Sequence, residues 1–325
     1  MKALIIGAGG FVGGYLISEL YSQGWEVTAT KLPHEQITIH CGGEPSYRRA
    51  DLDILDENAV RELLRECRPD VIFHLAAQSS VALSWKKPAL TADINIKGCI
   101  DLLEAVRAEA LSPKILFIGS GEEYGYAANR PEPVDETVNP EPANIYAITK
   151  LTQNMIGELY CKAYGMDIIS VRAYNHIGPG QLPQFVVADF CKQAADIKAG
   201  RHEPVMRVGN LSAKRDFTDV RDIVRAYAAL AERGRAGETY NVGSGHAVSI
   251  QSVLDRIIGL SGAEIRVETD PAKLRPVDVP FIEPDISKLK RDTGWEPVIG
   301  LDRSLTDILE YFGEQDGSRN TASGT

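Results

Sequence analysis

A glycine-rich turn directly after the first apolar run restricts the fold more than any other feature of the chain. Residues 2–6 have the pattern of a buried strand, and Gly7-Ala8-Gly9-Gly10-Phe11-Val12-Gly13 follows it and opens a helical pattern. Glycines at this spacing permit a tight bend, close approach of a pyrophosphate to the backbone, and close packing of helix on strand. The free N–H groups at the helix start favour an anion, so this context predicts a dinucleotide site. We predict cofactor contacts from Gly7, Gly10, Phe11, Val12 and Gly13.

Strand-like runs and helical patterns alternate through the first half of the chain. Strands are predicted at 25–30, 71–75, 115–118 and 167–171, and helices at 11–23, 58–65, 95–110 and 146–164. This alternation predicts an α/β fold, a doubly wound parallel sheet of the Rossmann type. Its ligand crevice should lie at the carboxyl ends of the strands.

The regularity breaks after residue 172. Glycines and prolines punctuate the stretch near 178–204 and a later one near 271–284, while a helix at 219–233 and a strand at 238–242 resume the first pattern. We predict a dinucleotide-binding domain over 1–172 that also receives about 216–243. A smaller C-terminal substrate-binding lobe takes 173–215 and 244–312. The polar residues 313–325 are predicted to form a disordered tail.

Composition narrows the class of protein. The chain of 325 residues carries a formal net charge of -10, which disfavours nucleic acid and anionic membrane surfaces as partners. No apolar run reaches the ~20 residues that span a bilayer, and no secretory signal is recognisable. The five cysteines are scattered without metal-ligand spacing. We therefore expect a cytoplasmic protein with reduced thiols and no metal site.

The preference for NAD(H) or NADP(H) depends on residues near the carboxyl ends of the strands. An acidic residue at the end of the second strand would accept from a free ribose hydroxyl, but the sequence there is Thr28-Ala29-Thr30-Lys31. Lys31 suits a 2′-phosphate, so NADP(H) is favoured and NAD(H) stays possible. Asp51 is a candidate acceptor from the adenine amine or, alternatively, a helix cap. Further cofactor contacts are expected from Leu52, Leu75, Ala76 and Ala77.

Tyr146 and Lys150 form the second chemical signal. Residues four apart share one face of a helix, and a lysine beside a tyrosine favours the phenolate. A phenol with a reference pKa near ~10 would thereby become a proton donor and acceptor around neutrality. The spacing is common on solvated helices, so it gains weight only beside the glycine turn.

With Ser120, these residues resemble the extended short-chain dehydrogenase/reductases, in their nucleotide-sugar branch. The resemblance runs from Met1 to about Tyr311. It implies that Ser120, Tyr146 and Lys150 are catalytic and that Tyr146 and Lys150 also contact the cofactor. The stretches Gly119–Gly125 and Asn175–Gln181 look most like reductases of GDP-4-dehydro-6-deoxy-D-mannose, which form GDP-D-rhamnose with a reduced nicotinamide.

The same resemblance implies a set of substrate contacts. Arg215 and Arg275 are expected to hold the diphosphate, which a planar guanidinium binds in bidentate fashion. Surface ion pairs are the alternative for both. Asn175 is expected at the diphosphate or sugar, Asp278 at the guanosine ribose, and Ser79 more weakly at the sugar. His176 should line the cofactor pocket.

Glu122 keeps a rival reaction open. GDP-mannose 4,6-dehydratases of this branch carry a glutamate two residues after the catalytic Ser/Thr, where it removes the C5 proton, and Glu122 occupies that place. The run Ile177-Gly178-Pro179-Gly180 after His176 favours the reductase. A UDP-sugar epimerase is a third candidate. A non-catalytic NADP-binding sensor is a remote alternative, disfavoured by the retained Tyr146 and Lys150.

Assembly is suggested by the two long helical patterns. The helices at 95–110 and 146–164 have apolar residues on more than one face. Members of the family often pair through these helices, so we expect a homodimer with a four-helix bundle. Ordinary packing on the sheet is the alternative explanation.

Overall fold

The computed structural model of the protein describes residues 1–40, 45–273 and 279–321, with backbone alone from 315 to 321. The strands are β1 Lys2–Ile6, β2 Glu26–Lys31, β3 Arg48–Asp51, β4 Val71–His74, β5 Lys114–Ile118, β6 Ile168–Ala173, β7 Asn175–Ile177, β8 Val205–Val208, β9 Lys214–Asp219, β10 Thr239–Val242, β11 Ala247–Ser249, β12 Arg266–Thr269 and β13 Phe281–Ile282.

The α-helices are α1 Phe11–Ser22, α2 Glu57–Cys67, α3 Val81–Lys86, α4 Pro88–Ala92, α5 Gly98–Ala108, α6 Ile145–Tyr164, α7 Val186–Lys198, α8 Val220–Arg233, α9 Ile250–Ser261, α10 Ser287–Thr293 and α11 Leu301–Thr321. Short 3-10 turns lie at Gly121–Tyr124, Tyr126–Ala128 and Pro271–Lys273, and a π-helical turn at Asp93–Lys97 precedes α5.

A seven-stranded sheet in the order β10-β6-β5-β4-β1-β2-β3 forms the centre of the fold. All of its neighbouring strands run parallel. From β1 the chain first adds β2 and β3 on one side of the sheet and then crosses over to add β4, β5 and β6 on the other side. The strand order therefore reverses between β1 and β4. Ligands of open α/β sheets bind at such a switch point, beyond the carboxyl ends of the strands. The predicted Rossmann-like sheet is confirmed.

Strand β1 shows why the sheet is buried on both faces. Ala3 and Ile5 face a core that α1 and α8 cover. Leu4 and Ile6 point the other way, into a core formed with α2 and α5. Because successive side chains of a strand alternate between faces, an uninterrupted apolar strand needs helices on both sides. The doubly wound arrangement follows from this pattern.

The later part of the chain adds a second core. Helices α7, α9 and α11 pack together with β8 and β9 around apolar side chains such as Phe190, Leu254 and Ile308. Strand β9 pairs with β7, β11 and β13, and β8 pairs with β12. The predicted return of the chain to the main sheet is confirmed, since β10 pairs with β6. The exact division into two lobes stays a prediction.

One helix boundary differs from the sequence-based expectation. The helix predicted at 95–110 begins as a π-helical turn and becomes α5 only at Gly98. Helix α11 runs from Leu301 to Thr321, and the disordered tail over residues 313–325 stays a prediction. Leu305, Ile308 and Phe312 anchor α11 in the second core, and extending an existing helix is easier than starting one. Among the described residues, no helix combines the length and apolar character needed to cross a membrane.

Candidate active site

The glycine turn between β1 and α1 has the geometry of a phosphate cradle. Gly7 has a φ of 87°, and a Cβ added to it would lie 2.6 Å from the backbone of Ala76. A Cβ on Gly13 would lie 2.1 Å from the carbonyl oxygen of Ala8. Gly10 caps α1 without any side-chain hydrogen bond. The first N–H groups of α1 are therefore not capped by a side chain, and the residues fit a dinucleotide diphosphate.

The other predicted cofactor contacts border this turn. Ala76 packs against Gly7, and the N–H groups of Leu75 and Ala76 both donate to the carbonyl of Ile6. Phe11, at the start of α1, stacks on the ring of His176 with centroids 6.0 Å apart. Burial lowers the pKa of His176. The two sequence regions that were predicted to line one pocket thus meet at the start of α1; Val12, Leu52 and Ala77 are buried or half-buried near the strand ends.

The loop after β2 contains an acidic side chain, Glu35, that was not predicted from the sequence. Lys31 Nζ lies 2.7 Å from Asp51 Oδ1 and donates to the carbonyls of Leu32 and Pro33. Glu35 accepts from the N–H of Leu32 at 3.2 Å. Its Oε2 lies 2.3 Å from where a Cβ on Gly9 would stand. The carboxylate therefore lies between the glycine turn and β2, where a ribose hydroxyl is read.

The Ser120, Tyr146 and Lys150 side chains converge at the carboxyl end of β5. Ser120 follows β5 and opens a 3-10 turn, and Tyr146 is the second residue of α6. All three side chains are buried. Burial is the main influence on the pKa of Tyr146 and raises it, while the nearby Ser120 hydroxyl acts in the opposite direction. The structure thus places the predicted serine and tyrosine in the same buried region at the end of β5.

The electrostatics of this group differ from the expectation. Burial raises the pKa of Tyr146 above its ordinary value, against the effect of Ser120. Lys150 Nζ donates to the carbonyl of Ile118 at 2.7 Å and to Gln153 Oε1 at 3.3 Å. Burial lowers the pKa of Lys150 to about 8. The predicted acidification of Tyr146 by Lys150 is therefore not seen, because burial dominates the pKa of the phenol and Lys150 Nζ donates to the carbonyl of Ile118 instead.

Glu122 is held by Asn144, the residue that caps the start of α6. Asn144 Oδ1 accepts from the N–H of Ala147 at 2.8 Å and so caps α6. The Nδ2 of the same Asn144 donates to Glu122 Oε2 at 3.0 Å. One side chain therefore sets the start of α6 and the direction of the neighbouring carboxylate. Sequence reasoning missed Asn144, although an asparagine just before a helix is a common cap signal.

The predicted substrate contacts have varied surroundings. Asn175 is exposed at the start of β7, and Ser79 is exposed after β4. Arg215 lies buried on β9 opposite Val248 of β11, and its Nη1 donates to the carbonyl of Lys214 at 2.9 Å. Arg275 and Asp278 lie outside the described residues. In the part of the chain that is described, no group of acidic, histidine or cysteine side chains has the arrangement of a metal site.

Comparison with known proteins supplies the family. A sequence model described as GDP-mannose 4,6 dehydratase matches residues 4–308. The chain belongs to the GDP-mannose 4,6 dehydratase family. The matched range contains the glycine turn and Ser120, Tyr146 and Lys150.

Individual relatives span the whole fold. The GDP-6-deoxy-D-mannose reductase of Pseudomonas aeruginosa is 32% identical over 95% of this chain and 96% of its own length. A GDP-mannose 4,6 dehydratase of Arabidopsis thaliana is 29% identical over 95% of this chain and 86% of its own. The solved structure of RMD from P. aeruginosa complexed with NADPH superposes with a TM-score of 0.85, at 31% identity, over 97% of this chain and 100% of that one.

Proposed function

We propose that the protein reduces the C4 ketone of GDP-4-dehydro-6-deoxy-D-mannose to GDP-D-rhamnose with NADPH. The observation that carries the proposal is the likeness to the P. aeruginosa reductase across almost the full length of both chains. The solved relative with NADPH supports the choice of coenzyme. The proximity of Ser120 to Tyr146 supports the chemistry, because a carbonyl reduction needs a proton donor and a second hydrogen bond at the same oxygen.

Each site residue has a separate role in the proposed reduction. Gly7, Gly10 and Gly13 hold the coenzyme diphosphate at the start of α1, and the bound nicotinamide supplies the hydride. Tyr146 donates its proton to the ketone oxygen, and Ser120 donates a hydrogen bond to it. The raised pKa of Tyr146 keeps the phenol protonated and ready to act as the acid. Lys150 anchors the nicotinamide ribose, and Arg215, Arg275 and Asn175 bind the GDP-sugar.

A second candidate, GDP-mannose 4,6-dehydration, is favoured by one observation. The carboxylate of Glu122 stands two residues from Ser120 and is oriented by Asn144. In a dehydratase such a group removes the C5 proton after C4 is oxidised. The reductase needs no base at this position.

Two assays on the same preparation separate the candidates. We expect loss of the reduced-nicotinamide absorbance when GDP-4-dehydro-6-deoxy-mannose and NADPH are supplied together, and no keto-sugar product from GDP-mannose with NADP. Glu122→Gln should spare the first reaction and abolish any trace of the second. Turnover of GDP-mannose alone would reverse the assignment. Coenzyme binding without either reaction would favour a sensor.

The phenol is tested by Tyr146→Phe. Loss of a positioned proton donor should lower kcat by roughly 10²–10⁴-fold, while NADPH affinity stays close to that of the wild type, because the ring is kept. Stopped-flow turnover and coenzyme fluorescence titration measure the two quantities separately. Activity retained by this variant would assign the acid to another group.

A further inference from the structure

A carboxylate with no solvent access lies directly behind the turn that carries Ser120 and Glu122. Glu123 is fully buried. Its Oε1 accepts from the backbone N–H of Ser120 at 2.8 Å, and both oxygens accept from the amide of Asn154, at 2.9 and 2.8 Å. Its Oε2 also accepts from Arg172 Nε at 3.0 Å. One side chain thus links the 3-10 turn to α6 and to β6.

The surroundings of Glu123 leave it little freedom. A Cβ on Gly119 would lie 2.3 Å from Glu123 Oε1, so the glycine makes room for the carboxylate. The guanidinium of Arg172 lies over the ring of Tyr124 at 4.5 Å and compensates the buried charge. All the partners of Glu123 are donors. A carboxylate has two acceptor oxygens, whereas a glutamine would turn an NH₂ group toward another donor.

The turn itself is closed from both ends by this arrangement. The hydroxyl of Ser120 accepts from the N–H of Glu122 at 3.2 Å, while Glu123 accepts from the N–H of Ser120. This reciprocal capping satisfies donors that would otherwise be unpaired in a buried segment. We propose that Glu123 is a positioning residue, which holds the backbone of Ser120 so that the Ser120 hydroxyl and the Glu122 carboxylate keep their orientation toward Tyr146.

The charge of Glu123 also acts on the proton chemistry. It raises the pKa of both Tyr146 and Lys150. The other titratable or charged groups that act on this pair are Glu122 from the same turn, Cys99 from α5, His74 from β4 and Tyr227 from α8, with Arg172 on β6 facing Glu123 itself. Removing the negative charge should therefore lower both pKa values.

The test compares Glu123→Gln with a matched control, Asp196→Asn. Asp196 is likewise a buried carboxylate, paired with Lys192 and Arg201 on α7 and the loop after it, away from the Ser120 turn. Amide hydrogen exchange of residues 118–125 reports the order of the turn directly. For Glu123→Gln we expect exchange there to rise about tenfold or more, with the rest of the main sheet unchanged. Asp196→Asn should leave residues 118–125 as in the wild type.

Kinetics add a readout that a merely structural role would not move. This arm rests on the proposed reductase function. Glu123→Gln should lower kcat about tenfold with little change in KM, and the alkaline limb of the kcat profile should move to lower pH, because Tyr146 must be protonated to act as the acid. Glu123→Asp keeps the charge but shortens the reach, so it should lower kcat without moving that limb.

The outcomes are distinct. Wild-type exchange and kcat in Glu123→Gln would overturn the proposal, as would equal changes in Asp196→Asn or a uniform rise of exchange across the sheet. Where Glu123→Gln does not fold, Asn154→Ala keeps the ion pair with Arg172 and should raise exchange at 118–125 by a smaller factor; unchanged exchange there would also overturn it. If the wild type turns over no nucleotide sugar, the proposed function fails while the exchange data still decide on Glu123.

Discussion

At the scale of single residues, burial controls the chemistry of the site more than neighbouring charges do. It raises the pKa of Tyr146 and lowers that of Lys150 to about 8. Each shift favours the neutral form, as desolvation does for any ionisable group. A neutral phenol beside the Ser120 hydroxyl suits proton donation in a reduction. The reverse oxidation would need the phenolate that the helix spacing alone suggests.

Coenzyme choice is a prediction at this scale. Glu35 lies against Gly9, so its charge should oppose the 2′-phosphate of NADPH, while Lys31 is engaged by Asp51. Unit charges about 4 Å apart in water interact by about 1 kcal/mol. We expect Glu35→Gln to tighten NADPH binding about fivefold and to leave NADH binding unchanged or weaker. Fluorescence titration with both coenzymes measures this; an equal effect on both would remove Glu35 from the ribose site.

His74 offers a prediction about stability and pH. It is fully buried at the end of β4, and neither ring nitrogen has a hydrogen-bond partner in the described part of the chain. Burial lowers its pKa to about 3, from 6.5. The folded state therefore stays unprotonated while the unfolded chain binds a proton below pH 6.5, so stability falls as pH drops through this window. At pH 5 the loss is about 2 kcal/mol.

Replacing this histidine isolates its contribution. His74→Leu removes the titrating group, so the drop in unfolding free energy between pH 7.5 and pH 5 should be about 2 kcal/mol smaller than in the wild type. Urea unfolding at the two pH values gives both numbers. An identical pH dependence in the variant would mean that His74 does not titrate between the folded and unfolded states.

At the scale of elements, two helix starts organise the site. The N-terminus of α1 has no side-chain cap and meets the glycine turn, which leaves its N–H groups for an anion. The N-terminus of α6 is capped by Asn144, which also holds Glu122. The two helices therefore have opposite designs. One end is open, as a coenzyme diphosphate would require, and the other is closed by a cap and has Tyr146, the proposed proton donor, in its first turn.

Two substitutions at Asn144 separate its roles. Asn144→Ala removes the cap and should cost about 1 kcal/mol of stability. Asn144→Asp keeps a capping oxygen, so stability should stay near the wild type, but the donor to Glu122 is lost and two carboxylates face each other. Thermal unfolding measures the first effect. We expect both variants to keep most of the reductase activity, because reduction needs no base at Glu122; equal stability losses would contradict the assignment of the cap.

At the scale of the whole molecule, an apolar core lies on each face of the main sheet. One face of α6 is apolar and exposed to solvent. On α6, Ile148, Met155 and Leu159 are 50%, 61% and 60% exposed. Their spacing of seven and four residues places them on one stripe. Large exposed apolar side chains in one line are typical of a surface that another molecule covers. This agrees with the expected pairing of two copies through the helices α5 and α6.

The assembly prediction is tested by charge substitution on that stripe. We expect the wild type to be a dimer by light scattering after size exclusion. The double variant Met155→Arg with Leu159→Arg should be a monomer with unchanged circular dichroism, because dimerisation would bury the introduced arginine charges without an opposite charge to pair with. Val298→Arg is the control, since Val298 is 70% exposed on a different segment. A monomeric wild type, or a dimer that survives both substitutions, would refute this interface.

Local patterns in the chain were enough to predict the main strands and helices of the central sheet and to select the candidate site residues. The alternation of strands and helices, the glycine turn at 7–13, and the spacing of Tyr146 and Lys150 are properties of neighbouring residues, and they determine which face or end each side chain occupies. The strand that rejoins the sheet as β10 was predicted on the same ground. Such short-range signals predict local structure reliably, because the side-chain periodicity of helices and strands is set by backbone sterics alone.

Only the tertiary structure decided what surrounds those groups. Glu123 meets Arg172 across 49 positions of sequence, and Glu35 reaches Gly9 through a loop that no periodicity describes. The pKa of Tyr146 depends on how much water the whole fold removes from the phenol. The packing of the complete chain determines which distant segments touch and how far they desolvate each other. The spacing of adjacent residues predicts neither.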